Sequence, residues 1–210
     1  MQKILNLLKE PYMNNIILIF TLLTTFLIWL NDKRSKEKSY AQIILLQIKN
    51  IEAIVQEIRT NGLTNGILSE SLFLELPILF EKDYWEEYSH FLIKDLGQDN
   101  YEKINNFYQC CSKIKNYQIE VKNKLREALY WRGYHFYNTK YQNDFNVYLS
   151  DDYRKQNQIK FDILEKTSIS QTYIPSEFPR QLTNLLVEYS PLTNTLACEE
   201  LQTISKKFVL

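Results

Sequence analysis

"NNIILIFTLLTTFLIWLNDKRSKEK", residues 14–38, decides how the rest of the chain is read. Ile16–Leu30 carry no charge, and Lys33, Arg34, Lys36 and Lys38 follow at once. The uncharged window widens to Pro11–Asn31, 21 residues between Glu10 and Asp32. At about 1.5 Å of rise per residue it reaches roughly 31 Å, the hydrocarbon thickness of a bilayer. Thr21, Thr24 and Thr25 interrupt it, but their hydroxyls can bond back to carbonyls one turn earlier. Tyr12 and Trp29 stand near its two ends, where amphipathic rings favour the headgroup level, and Lys33 and Arg34 complete the anchor. A cleaved signal peptide fits less well, because no small-x-small site follows Leu30. A soluble core helix would show a polar stripe, and residues 16–30 are apolar nearly all round.

The expectation is therefore a single-pass membrane protein. Orientation follows the flanking cations, Lys3 and Lys9 before the span against four after it. That bias places the carboxyl-terminal domain in the cytoplasm, at the inner (plasma) membrane. The expected organisation is a short tail over 1–10, which extends the helix or lies along the interface. A transmembrane helix follows over 11–31, then a juxtamembrane amphipathic helix over 32–62 and a cytoplasmic all-helical domain over 63–210.

The composition agrees with an all-α bundle. Only 4 glycines and 5 prolines occur in 210 residues, which argues against a turn-rich β domain and a glycine-lined phosphate loop. Formal net charge is zero, so no global field draws the chain to nucleic acid or to anionic lipid. The abundance of Ile, Lys, Asn and Tyr has a bacterial flavour. Three cysteines (Cys110, Cys111, Cys198) make an odd number without a C-x-x-C pair, which suits a reducing compartment and reads as small buried hydrophobes.

Beyond the span, Ala41, Ile44, Ile48, Ile51, Val55 and Ile58 recur at spacings of three and four. This seam either packs on the chain's own later helices or forms a juxtamembrane dimer coil. Ile43, Leu45, Leu46 and Ile54 widen the apolar face beyond a narrow zipper. Gly62 reads as the residue that closes the helix in a left-handed turn. Residues 62–82 have no sustained period and read as a connector tucked against the core, with Thr64 or Ser69 capping a short turn. Asp83–Glu86 and Asp99–Glu102 have the spacing of capping boxes, opening one helix to Leu96 and a second, long one. The long pattern drifts at 116–119, which suggests a register slip. Ser150 caps a helix to about Lys166, with Tyr153, Ile159, Phe161, Ile163 and Leu164 as its apolar side. Two short helices, about 178–188 and 193–206, end the chain.

No catalytic or cofactor motif is present. His90 and His135 lie on separate helices without ligands at zinc spacing. Ser89, His90 and Asp95 cannot converge along one helix. The acidic pairs Glu86–Glu87 and Asp151–Asp152 suit helix amino termini. No enzyme activity, metal or cofactor is expected.

The richest segment is "ALYWRGYHFYNTKYQNDFNVYLS", residues 128–150. Tyr130, Tyr134, Tyr137, Tyr141, Phe145 and Tyr148 form a helical stripe among cations that include Arg132 and Lys140. Residues 113–140 carry about +5 and residues 70–102 about −7. The stripe is either a core edge, its charge cancelled by the acidic segment, or a surface for a partner protein or membrane. A single-stranded nucleic-acid platform is the weakest reading. The function these features suggest is an interaction domain that tethers or scaffolds a partner protein, or a second copy of itself, at the bilayer. The alternatives are a membrane-acting effector of stress or phage defence triggered by oligomerisation, and an anionic-lipid or nucleic-acid binder using 113–148.

Overall fold

The structure, a computed structural model, describes residues 11–145, 150–167, 169 and 174–206; at 11, 12, 64 and 142–145 it describes the backbone alone. It is 84% helical with almost no strand, so the all-α expectation holds. Chain order is α1 (Pro11–Asn61), β1 (Leu63–Thr64), β2 (Ile67–Leu68), α2 (Glu70–Glu75), α3 (Tyr84–Leu96), α4 (Gln98–Phe145), α5 (Asp151–Lys166), α6 (Glu177–Glu188) and α7 (Leu196–Ser205). The 3–9 segment, Tyr148 and most of the 168–173 loop lie outside the described residues.

The expected span and juxtamembrane helix are one unbroken 51-residue helix, α1. Nothing between Leu30 and Ser39 breaks it. The turn is instead rich in good helix formers, and the i,i+4 pair Asp32–Lys36 (2.7 Å) lies along it. Its amino-terminal half is long and apolar enough to cross a membrane, and none of that window is buried by the rest of the chain. The large apolar side chains from Ile16 to Trp29 stay 45–70% exposed. A water-soluble globule would not leave so broad an apolar surface unpartnered. The hydroxyls of Thr21, Thr24 and Thr25 donate to carbonyls one turn earlier (Ile17, Phe20 and Thr21, each 2.8 Å), so none of these three donors is left unpaired.

The described chain divides into two compact units. The first comprises 11–46, 84–101 and 194–206. Here Tyr40 of α1 stacks on Tyr88 (4.3 Å) and Phe91 (4.9 Å) of α3. Trp85 meets Tyr101 at 4.9 Å, and the Tyr101 hydroxyl donates to Ser89 Oγ (3.3 Å). Helix α7 packs on α3, is capped by the Thr195 hydroxyl, and buries Ala197, Cys198, Leu201 and Ile204. The Asp99 capping box is corrected: α4 already begins at Gln98, directly after Gly97, so Asp99 lies in its first turn.

The second unit comprises 47–83 and 102–193. Ile48, Ile51, Val55 and Ile58 of α1 are buried in it, as are Ile104, Phe107, Tyr108, Cys111, Ile114, Tyr117, Val121 and Leu125 of α4. The slip expected at 116–119 is absent, because α4 is continuous there. Gln118 lies on the buried face and is polar, which made the apolar period look broken. Its side chain accepts from the Leu79 amide (3.0 Å) and donates to the Pro77 carbonyl (2.7 Å), holding the connector to α4. Lys122 donates to the Leu76 carbonyl and Lys115 to that of Glu81 (3.3 Å). The basic segment thus meets the 76–81 connector through main-chain oxygens.

Two charged residues of α1 clamp the carboxyl-terminal connection. Glu52 accepts from the amides of Leu192 (2.7 Å) and Thr193 (2.9 Å), and Arg59 donates to the carbonyls of Leu186 (2.7 Å) and Tyr189 (2.9 Å). Gly62 is corrected as well: its φ is not left-handed, and glycine stands there because a Cβ would lie 2.3 Å from the Ile58 carbonyl. The left-handed residues are Asn65 (53°) and Gly66 (76°), which turn an antiparallel pair, Leu63 opposite Leu68 and Thr64 opposite Ile67.

A candidate interaction surface at the end of the bundle

The last buried residue of α4 is Ala128, and none of the described residues from Leu129 to Tyr141 is buried. No proline stops the helix before Phe145, and Arg132 and Phe136 hold it to α5, although its aromatic-rich sequence with Gly133 is a modest helix former. Tyr130, Trp131, Tyr134, Tyr137 and Tyr141 are 46–70% exposed, so the core-edge expectation for this stripe is overturned. The rings contact one another along the helix. Trp131 meets Tyr134 edge-on at 6.0 Å, and Tyr137 stacks with Tyr141 at 6.1 Å. Such self-packing holds the side chains in place at little further entropic cost on binding. Lys140 is exposed beside them, and the Phe145 side chain lies outside the described residues.

Arg132 has a different task. Its Nη2 donates to the Glu165 carbonyl (3.0 Å) and its guanidinium lies 5.5 Å over Phe136, which meets Phe161 edge-on at 4.8 Å. Arg132 therefore fastens α5 to α4 and is not a free cation of the surface. Helix α5 starts at the Ser150 cap, where the hydroxyl accepts from the Tyr153 amide (3.4 Å).

The apolar side expected for α5 is corrected in part. Ile159 and Ile163 are 58% and 57% exposed, and the buried residue of α5 is Asn157, 2% exposed. A cleft of about 580 Å³ opens between the two helices, with Tyr134, His135 and Asn138 on one wall and Tyr153, Asn157 and Lys160 on the other. Asn157 Nδ2 lies buried there with no hydrogen-bond partner. An unmade hydrogen bond at a buried amide costs about 1–3 kcal/mol. A partner carbonyl or carboxylate that accepted from it would recover that cost. Asn157 escaped the sequence reading, although 153, 157, 161 and 164 have seam spacing with one polar residue in it.

The other expected sites sort differently. Ile44, Ile48, Ile51, Val55 and Ile58 are buried in the chain's own core, so the seam is not offered to a second copy; Ile43 and Leu46 stay exposed. Trp29 stacks near Phe26 (5.9 Å), with Lys33 Nζ 5.7 Å over its ring, and Arg34 is exposed. Tyr12 lies on α1, but its side chain is outside the described residues. All three cysteines are free, and burial pushes the Cys111 thiol well above its ordinary range, so it stays protonated and unreactive. Among the described residues no group of three His, Cys, Asp or Glu side chains could hold a metal ion.

Comparison of the chain with protein-family models, curated proteins and solved structures returns no match.

Proposed function

We propose that this chain is a single-pass membrane protein of the inner (plasma) membrane whose cytoplasmic helical domain holds a partner protein at the bilayer. It acts by binding and performs no catalytic step. One observation carries the reading: α4 runs on beyond the core and leaves Tyr130, Trp131, Tyr134 and Tyr137 exposed, with Ile163 of α5 lining a cleft beside Tyr134. Burying such side chains on a partner is worth about 1.5–3 kcal/mol each for the larger ones, and aromatic rings dominate protein interfaces. The cytoplasmic side follows from the flanking cations Lys33, Arg34, Lys36 and Lys38.

The test is a photo-crosslinking amino acid placed at Tyr134 or Tyr137 of the full chain in intact membranes, with exposed Gln109 as the control position. A discrete adduct at the aromatic positions is expected, absent at Gln109 and lost when Tyr130 and Trp131 are changed to Ser. A self-adduct would make the partner a second copy. Equal labelling at the control position overturns the reading. Arg132 is left unchanged in this test, since its loss would loosen α5 as well.

A further inference from the structure

A second cleft, of about 710 Å³, lies in the first unit between α1 and α3. We propose that it binds the phosphate of an anionic phospholipid headgroup. The inference rests on the reading of α1 as a membrane span.

Its position comes first. Leu30, Lys33, Arg34 and Glu37 form the α1 wall. Arg34 is three residues past Asn31, the end of the uncharged window, or about 4.5 Å farther along the helix. The headgroup layer occupies roughly 5–7 Å beyond the hydrocarbon on each side. Arg34 therefore stands at phosphate depth. Tyr40 packs on Tyr88 and Phe91, while the cleft sets residues 90–95 of α3 opposite residues 30–37 of α1. Helix α3 thus runs back along α1 toward the span, and Lys94 arrives at the same depth.

Its chemistry comes second. Three cations, Lys33, Arg34 and Lys94, face the space, with His90 one turn before Lys94. Two carboxylates share the cleft, Glu37 and Asp95. Glu37 is largely buried and lies 3.9 Å from Lys33. Among the described residues Arg34 and Lys94 form no ion pair, so two cations from different helices are left to hold one anion. The remaining lining is apolar: Leu30 at the end of the span and Phe91, which is 45% exposed. Cations above an apolar floor suit a phosphate joined to acyl chains better than a free phosphate, which has no use for the floor.

The experiment uses the full chain in nanodiscs of phosphatidylcholine with or without phosphatidylglycerol, released for native mass spectrometry. Retained phosphatidylglycerol is expected on the unaltered chain. Arg34→Gln with Lys94→Gln should lower it roughly thirtyfold, as for two surface cations. Lys113→Gln with Lys124→Gln, which removes equal charge elsewhere, should change nothing. Both pairs are solvent-exposed, and far-UV circular dichroism confirms that the variants fold. Inorganic phosphate at millimolar concentration should fail to displace the lipid. Equal retention by the Arg34/Lys94 variant, equal retention of phosphatidylcholine, or displacement by phosphate overturns the proposal. A chain that never enters the discs overturns the span and this site with it; a chain that enters but ignores the substitutions overturns the site alone.

Discussion

Gln118→Leu isolates the polar joint on which the connector depends. Gln118 is 0% exposed and makes two hydrogen bonds to the connector, one accepted from Leu79 and one donated to Pro77. Leucine has nearly the same volume, so the cavity term is small. The loss comes from the orphaned groups. The Leu79 amide is buried, and leaving it unpaired costs about 1–3 kcal/mol, while the second, half-buried bond adds about 1 kcal/mol. We expect a net loss of about 2–3 kcal/mol in urea unfolding of the full chain in detergent, followed by circular dichroism. Amide exchange over 77–80 should speed up by more than the global change requires. Gln118→Glu adds a test by sign. The carboxylate keeps the acceptor for Leu79 but faces the Pro77 carbonyl without a proton to donate. Its protonated form restores both bonds, so burial and that carbonyl raise its folded pKa above the unfolded value of about 4.3. The stability it contributes is then present below about pH 4 and lost as pH rises through the folded pKa. A Leu variant within 0.5 kcal/mol of the parent, with unchanged exchange at Leu79, would refute the reasoning.

Four further outcomes follow from the same packing. Ile51→Ala should cost about 2–5 kcal/mol with a midpoint independent of protein concentration; a midpoint that moves on dilution would return the seam to an intermolecular contact. Burial raises the pKa of Cys111 and of Tyr108, Tyr117 and Tyr189 above the ordinary 9.0 and 10.0. Stability should therefore be flat from pH 7 to 9 and fall above it, by about 1.4 kcal/mol per pH unit for each group past its unfolded pKa, with Tyr108→Phe shallower by one group. Gly62→Ala should destabilise more than Gly66→Ala, since the first drives a methyl into the Ile58 carbonyl and the second costs about 1 kcal/mol of left-handed strain; thermal melts of the pair decide the order. Asn157→Leu should stabilise the chain by about 1 kcal/mol or more while weakening the crosslink at Tyr134, and a destabilised variant would show that the buried amide is already paired.

The parts legible in the sequence are those in which local pattern and burial coincide. The 44–58 seam, the Ser150 cap and the apolar window before Asp32 each declare themselves through spacing or charge alone. What escaped did so for separate reasons. Asn65-Gly66 is a hairpin signal, but its strands are two residues long and show no alternation to draw attention to it. The pattern drifts at 116–119 because Gln118 is polar, although a buried amide with two main-chain partners behaves as part of the core. Ile159 and Ile163 read as inward because they are apolar, and spacing along one helix carries no information on what covers it; both are more than half exposed.

That last difficulty is general to the distal part of α4. Ile114, Val121, Leu125 and Ala128 recur at helical spacing and are buried, whereas Tyr130, Tyr134 and Tyr137 stand on roughly the opposite side of the same helix and are exposed. Periodicity marks which side of a helix is apolar; only the number of other elements available decides whether that side is covered. Here the first seam of α1 ends at Ile58, and Phe178 and Leu182 of α6 are buried in the same unit as Tyr117. Past Ala128 the face that continues the seam, at Arg132 and Phe136, meets Glu165 and Phe161 of α5, and the tyrosines stay exposed. Exposed aromatic rings carry a solvation cost, and under the proposed reading a partner protein that covered them would recover it. The 16–29 surface of α1 is likewise exposed, on a helix long and apolar enough to cross a membrane. The two exposed surfaces differ in chemistry, one aliphatic beside basic residues and one aromatic beside a buried amide, and that difference is why the proposed reading gives them different partners, a bilayer and a protein.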